Sequence, residues 1–312
     1  MIATVSKRSG SGRQHALGRF SCWAILYSLL VLLGVTTEAA RAGPLSERLI
    51  IVAERKGLNK MYICRSDGRD LRRFSQEPGH QIQPHYSPAL QRVFYVRLDE
   101  RRREQICSVD LKGEDFRLEL DTRGSVRYPN VSPDGKTLLF SSDRWGALEL
   151  AEMDLSTREI KRLTYDQGVN THAKYSPDGT QILFLSRRNG ISQVYLTDRK
   201  AQNFHLVTET LFQKGAPSWN PTGTRIVATE ALPPKLRSVL FEIELETKRK
   251  RFLLPRTRDV SDASYSADGT QVLFIEEDTL YTFDPADTTA HPFPIQGNLF
   301  PKDAIWVEFP LP

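Results

Sequence analysis

Short apolar runs separated by polar segments recur along the chain: Leu49-Ile50-Ile51-Val52, Val93-Phe94-Tyr95-Val96, Leu138-Leu139-Phe140, Ile182-Leu183-Phe184-Leu185, Ile226-Val227-Ala228 and Val272-Leu273-Phe274-Ile275. Runs this short, rich in β-branched and aromatic residues, predict strands buried on both faces. After each comes a polar loop and a second strand ending in an acid, as in Gln105 to Asp110, Leu148 to Asp154, Gln193 to Asp198, Val239 to Glu244 and Thr279 to Asp284. A third, more polar strand follows: Leu71 to Ser75, Phe116 to Leu120, Ile160 to Thr164, Phe204 to Thr208, Arg251 to Leu254 and His291 to Ile295. No segment carries helical periodicity of useful length.

A turn precedes five of the six buried runs. Ser-Pro-Asp-Gly stands at 132–135 and 176–179, with degraded copies at Ser87-Pro88-Ala89-Leu90, Asn220-Pro221-Thr222-Gly223 and Ser266-Ala267-Asp268-Gly269. Their first residues are 45, 44, 44 and 46 positions apart. Pro presets φ, Asp bonds nearby backbone and Gly accepts positive φ, so the motif reads as a turn and not as a ligand signature. Seven residues separate Tyr86 from Val93, Val131 from Leu138, Tyr175 from Ile182, Trp219 from Ile226 and Tyr265 from Val272.

With the strand that leads into each turn, every repeat holds four short antiparallel strands. That is the pattern of a propeller blade. The 270 residues from 43 to 312 divide into six blades of 45. The expected fold is therefore all-β, a six-bladed β-propeller spanning 43–312. The first blade lacks its innermost strand at the N-terminal end. Ala304 to Phe309 is the segment expected to supply it, with Trp306 taking the place of Tyr86, Tyr175, Trp219 and Tyr265 in their repeats. Such a closure removes an open sheet edge.

The repeat resembles that of the TolB-type propeller. The residues that carry the likeness are Leu163-Thr164, Gly168, Tyr175-Ser176-Pro177-Asp178-Gly179, Ile182, Phe184, Ser186-Arg187, Gly190, Val194-Tyr195, Asp198 and Val207-Thr208, with 131–164 nearly as close. TolB proper carries an α/β domain before its propeller, and here only Gly43 to Arg48 stand before the first strand, so the resemblance is to the propeller. It implies a periplasmic protein that binds an envelope protein or peptide at one mouth of the channel, as TolB binds the Pal lipoprotein. A Pal-like lipoprotein is one such partner.

The first 42 residues fit that compartment. Lys7, Arg8, Arg13 and Arg19 form a basic region, Phe20 to Val35 is almost wholly apolar, and Ala40-Arg41-Ala42 follows. This is the order of a secretory signal peptide, with cleavage expected after Ala42. The alternative is an uncleaved anchor in the inner membrane, although the apolar run is short of the ~20 residues that span a bilayer. Without this leader, 38 basic and 37 acidic residues remain. The basic character of the whole chain is then largely the leader's and no argument for nucleic acid. Cys64 and Cys107 occupy the place of Ala151, Tyr195, Phe241 and Tyr281 in other repeats, which reads as a core position and not a disulfide.

Candidate binding residues lie in the segments that enter the innermost strands and converge on one channel mouth. They are His80, Gln83, His85, Tyr128, Asn130, Asn170, His172, Lys174, Asp262 and Asp303, with Gln81 and Lys214 in comparable places. His205 and His291 fall in outer strands. The basic clusters Arg101-Arg102-Arg103, Arg187-Arg188 and Lys248 to Arg251 lie in loops or outer strands among acids and read as solvated faces. The chain after the leader has no His-Glu-x-x-His, Gly-x-Ser-x-Gly, phosphate-binding loop or Cys-x-x-Cys. The expectation is a monomeric protein-binding scaffold with no cofactor and no catalysis. The alternative is a metal-dependent, lyase-like enzyme of envelope carbohydrate that uses His80, Gln83, His85 and His172.

Overall fold

The computed structural model describes residues 45–310, apart from 166–167, 236, 288 and 296–298. The leader and its cleavage site lie outside the described residues.

The described chain forms six four-stranded antiparallel sheets. Blade 1 pairs Phe300–Pro310, Leu45–Arg55, Leu58–Arg65 and Arg72–Arg73 in that order from the inside outwards. Blades 2 to 6 are each one continuous stretch of chain, and their innermost strands are His80–Ser87, Val126–Val131, Asn170–Tyr175, Ser218–Trp219 and Ser261–Tyr265. The outermost strands are short, two to five residues, and the shortest are Arg72–Arg73 and His291–Pro292.

The seven-residue offset read from the sequence is the register of the inner hairpin. Tyr86 faces Val93, Val131 faces Leu138, Tyr175 faces Ile182, Trp219 faces Ile226 and Tyr265 faces Val272. The sixth pair is Trp306 with Leu49, made across the full length of the domain. The C-terminal strand thus closes blade 1, as expected. In the connecting turns Gly135, Gly179, Gly223 and Gly269 sit at φ 71 to 75°, and each amide donates to the carbonyl three residues back. That left-handed conformation is the reason for glycine there.

The core lies between the blades. Leu49, Ile51 and Ala53 pack against Leu273, Ile275 and Leu280 of blade 6. Ile50 and Val52, the alternate residues of the same strand, pack against Tyr86, Val93 and Tyr95 of blade 2. The same division recurs at every junction, so six apolar clusters, one per pair of neighbouring blades, run round a closed ring. This accounts for runs that are apolar at every position instead of every second one. Cys64 and Cys107 are free, fully buried in two different clusters, and burial pushes both thiols up to about 12.

The closing junction resembles the internal ones in composition. Ile51 at the junction of blades 6 and 1 and Leu139 at the junction of blades 3 and 4 are both fully buried. Replacing either by Ala is expected to lower stability by about 2–5 kcal/mol in denaturant unfolding. An Ile51→Ala protein as stable as the wild type would mean that the ring is open in solution.

Candidate functional site

Four of the six innermost strands are interrupted at the same point. In blade 2 Ile82 faces Val96 and His85 faces Phe94, so Gln83 and Pro84 stand opposite the single residue Tyr95. The same two-against-one bulge places Tyr128 and Pro129, His172 and Ala173, and Asp262 and Ala263 in blades 3, 4 and 6. The first residue of each bulge has positive φ: 54° at Gln83, 55° at Tyr128, 53° at His172 and 49° at Asp262. For a residue with a Cβ this conformation costs about 1–2 kcal/mol. Bulges kink a strand and re-aim its side chains. Pro at the second position removes an N–H that the broken ladder leaves without a role.

The bulges surround an axial cavity of about 530 Å³. Eight of the ten expected residues line it: Gln83, His85, Tyr128, Asn130, His172, Lys174, Asp262 and Asp303. The other two do not. His80 lies at the start of its strand, where its Nδ1 accepts from the Asn59 amide at 3.3 Å. Asn170 is wholly buried and donates to Glu149 at 2.9 Å and to Thr164 at 3.3 Å. Asn170 stands five residues before Tyr175, as Gln81 stands before Tyr86 and Lys214 before Trp219. All three are buried anchors: Gln81 accepts from the Met61 amide at 3.1 Å, and Lys214 pairs with Glu230 at 2.9 Å.

Trp219, Tyr265, Lys302 and Trp306 also line the cavity and were not among the expected residues. Trp219, Tyr265 and Trp306 are the residues that precede the turns or their equivalent, so the repeat alignment already held the signal. The indole Nε1 of Trp306 is buried with no partner among the described residues.

Hydrogen bonds between equivalent positions of adjacent blades hold the lining. The Tyr128 amide donates to Gln83 Oε1 at 2.9 Å. Asn130 accepts from the Tyr175 amide at 3.0 Å, which turns its Nδ2 towards His85 Nδ1 at 3.1 Å. His85 Nδ1 is then the acceptor, and the neutral ring carries its proton on Nε2. Trp219 Nε1 donates to the Lys174 carbonyl at 3.3 Å. The Tyr128 and His172 rings lie with centroids 3.6 Å apart. Every one of these contacts joins residues 44 or 45 apart, one blade to the next.

The model of the TolB β-propeller domain matches residues 43–283. The chain belongs to the TolB β-propeller family. No curated protein matches it in sequence. Among solved structures, TolB from Acinetobacter baumannii superposes with a TM-score of 0.73 at 24% identity, covering 89% of this chain and 69% of that one. An oligogalacturonate lyase in complex with manganese gives 0.58 at 17% identity, covering 78% and 73%. A chain of a nidogen/laminin complex gives 0.70 at 9% identity, covering 83% and 98%. At these identities the likeness is one of fold, and it spans binding proteins and an enzyme alike.

In this TolB-family propeller four charged side chains line the channel, Lys174, Asp262, Lys302 and Asp303, and three of them are shifted from their ordinary ionisation. Burial and the neighbouring Asp262 raise Asp303 to about 7. Burial raises Asp262 and lowers Lys174. Burial, aided by Lys174, also holds His85 down at about 3, and burial and Lys174 hold His172 at about 3, so both rings are neutral. Among the described residues no group of three or more His, Cys, Asp or Glu side chains is placed to hold a metal ion. His80 stands apart, His85 Nδ1 is bonded to Asn130, and the His172 ring lies on Tyr128. Of the four residues of the lyase-like alternative, Gln83, His85 and His172 thus share the cavity and His80 does not.

Asp303 supplies a pH test. Its folded pKa is above its unfolded value, so the fold gains protons relative to the unfolded chain, and its cost to stability grows as pH rises from about 4 to about 7. The residue keeps a minor part of its surface open to the channel, and screening there reduces that cost to about 1 kcal/mol. Asp303→Asn is expected to raise Tm by about 2–4 °C at pH 8 and to leave it unchanged at pH 4. Equal effects at the two pH values would contradict this account.

Proposed function

We propose that this chain is an envelope binding scaffold that receives a protein or peptide segment at the mouth of its channel. The observation that carries the reading is the cavity of about 530 Å³, already formed and fixed by ties between blades. Its lining mixes rigid aromatic surface at Tyr128, Trp219, Tyr265 and Trp306 with polar groups at Gln83, Asn130 and Lys174. Aromatic anchors offer large contact area at low cost in side-chain entropy, and a prearranged pocket spares the binder the cost of ordering loops. Strain held in four bulge residues at one place also fits a surface kept in shape for a ligand.

Membership of the TolB family supports a protein partner, with a Pal-like lipoprotein among the candidates. The leader and the family together support a periplasmic site of action after export and cleavage behind Ala42. A carbohydrate lyase is the weaker reading, because His80 stands apart from the cavity that Gln83, His85 and His172 line, and no group of three His, Cys, Asp or Glu among the described residues is placed to hold a metal ion.

Affinity capture from the envelope fraction tests the proposal. The wild-type protein is expected to retain a defined partner, and a variant combining His85→Ala, His172→Ala and Lys174→Ala is expected to retain it at background level while unfolding as one cooperative unit. An unchanged set of captured proteins would place the binding surface elsewhere. N-terminal sequencing of this chain itself, purified from the envelope fraction, is expected to begin at Gly43; a sequence beginning within the leader would favour the anchored form.

A further inference from the structure

The charged side chains buried in the blades have partners. Glu149 pairs with Arg162 at 3.1 Å and accepts from Asn170, Glu230 pairs with Lys214 and Lys250, and Glu242 pairs with Arg251 at 2.7 Å and accepts from Tyr265. Beside the channel the pattern is the same. Lys302, on the strand of Asp303, bonds to Asp278 at 2.6 Å, and Arg127, next to Tyr128, pairs with Glu104 at 2.7 Å. Lys302 itself lines the cavity but is taken up by Asp278, so that Lys174, Asp262 and Asp303 are the lining charges that have no ion pair among the described residues.

Their placement is ordered. Lys174 belongs to blade 4, Asp303 to blade 1 and Asp262 to blade 6. In a ring of six, blades 1 and 4 are opposite and blades 6 and 1 are neighbours. The two carboxylates thus share one wall, and the ammonium stands on the other. Blade 5, between Lys174 and Asp262, adds only Ala216 and Ser218 at the equivalent lining positions. The Lys174 backbone is held by Trp219 Nε1, and His172 is stacked on Tyr128, so that wall is stiff. Lys174 forms no ion pair with either acid among the described residues, although its charge is felt at both.

Unpaired charges in a confined space are costly until something matches them. We infer that the channel recognises a ligand bearing two opposite charges side by side, an ammonium or guanidinium received by Asp262 and Asp303 and a carboxylate received by Lys174. The inference rests on the reading of the channel as the binding site and names the chemistry of what enters it: the tip of a peptide segment with a basic and an acidic side chain together. The raised Asp303 agrees with this, since two acids on one wall hold a proton that an incoming cation would replace. The aromatic lining offers a cation–π surface for the same group.

Calorimetric titration of the intact protein with a blocked tetrapeptide carrying adjacent lysine and glutamate tests the inference. The peptide is expected to bind with Kd of about 1 mM or tighter. A counterpart with glutamine at both positions is expected to bind about tenfold more weakly, the size of one lost charge-assisted bond. Asp262→Asn with Asp303→Asn is expected to abolish the preference for lysine over glutamine, and Lys174→Met the preference for glutamate. Lys174→Glu is expected to restore binding of a peptide with two lysines. Free lysine distinguishes the sources: binding weaker than that of the peptide assigns a side-chain pair, and binding as tight assigns a free zwitterion of the same chemistry.

No detectable binding of the lysine–glutamate peptide, or equal binding of its neutral counterpart, overturns the inference. The envelope partner separates this failure from that of the channel reading. A partner lost from the triple alanine variant but kept by Asp262→Asn, Asp303→Asn and Lys174→Met leaves the channel as the site and removes the charge pairing. A partner kept by all of them removes the channel.

Discussion

The fold rests on one constraint: every blade is a small sheet that is apolar on both faces and cannot shield either of them alone. Four strands of about six residues bury too little for independent stability. Packing each sheet between two others solves this for all but the end blades of an open row. Closing the row into a ring solves it for those too. The pairing of Trp306 with Leu49, and the cluster that joins Leu273 and Ile275 to Leu49 and Ile51, are therefore the condition for the other five junctions to exist as they do. The shared blade also turns two distant parts of the chain into one folding unit.

The same closure creates the site. Six innermost strands meet round an axis and cannot all run straight, because side chains from six directions would compete for the same space. The bulges at Gln83, Tyr128, His172 and Asp262 kink the strands there and leave a cavity in place of a packed centre. Their left-handed backbone is tolerated because neighbours hold it on both sides: Gln83 caps the Tyr128 amide, and Tyr128 supports the His172 ring. Geometry that serves packing in the blades thus becomes, at the axis, a rigid set of polar and aromatic groups. Charges follow the same division. Glu149, Glu230 and Glu242 inside the blades are paired, as is Lys302 at the cavity, whereas Lys174, Asp262 and Asp303 at the axis have no ion pair among the described residues.

Positions within the repeat that look alike on paper separate into two kinds in space. Gln81, Asn170 and Lys214 fall five residues before the residue that ends the inner strand, and each is buried as an anchor for the connection from one blade to the next. Gln83, Tyr128, His172, Asp262 and Asp303 fall three before it and face the channel. Two residues further along the chain exchange a structural role for a place in the cavity.

The sequence by itself determined the number of blades, their strands, the turns between them and the strand that closes the ring. All of these depend on local apolar content, on turn chemistry and on spacing, which are properties of contiguous residues. It also pointed to the right segments for the channel mouth, and there eight of ten residues stand round the cavity. Only the tertiary structure decided the rest. His80 and Asn170 could not be set apart from their neighbours, because a bulge shifts which residues share a face, and a bulge is a relation between two strands and not a property of one. Which charges are matched was likewise undecided, since Lys302 and Arg127 find their partners, Asp278 and Glu104, 24 and 23 residues away, across turns whose geometry the sequence alone does not fix.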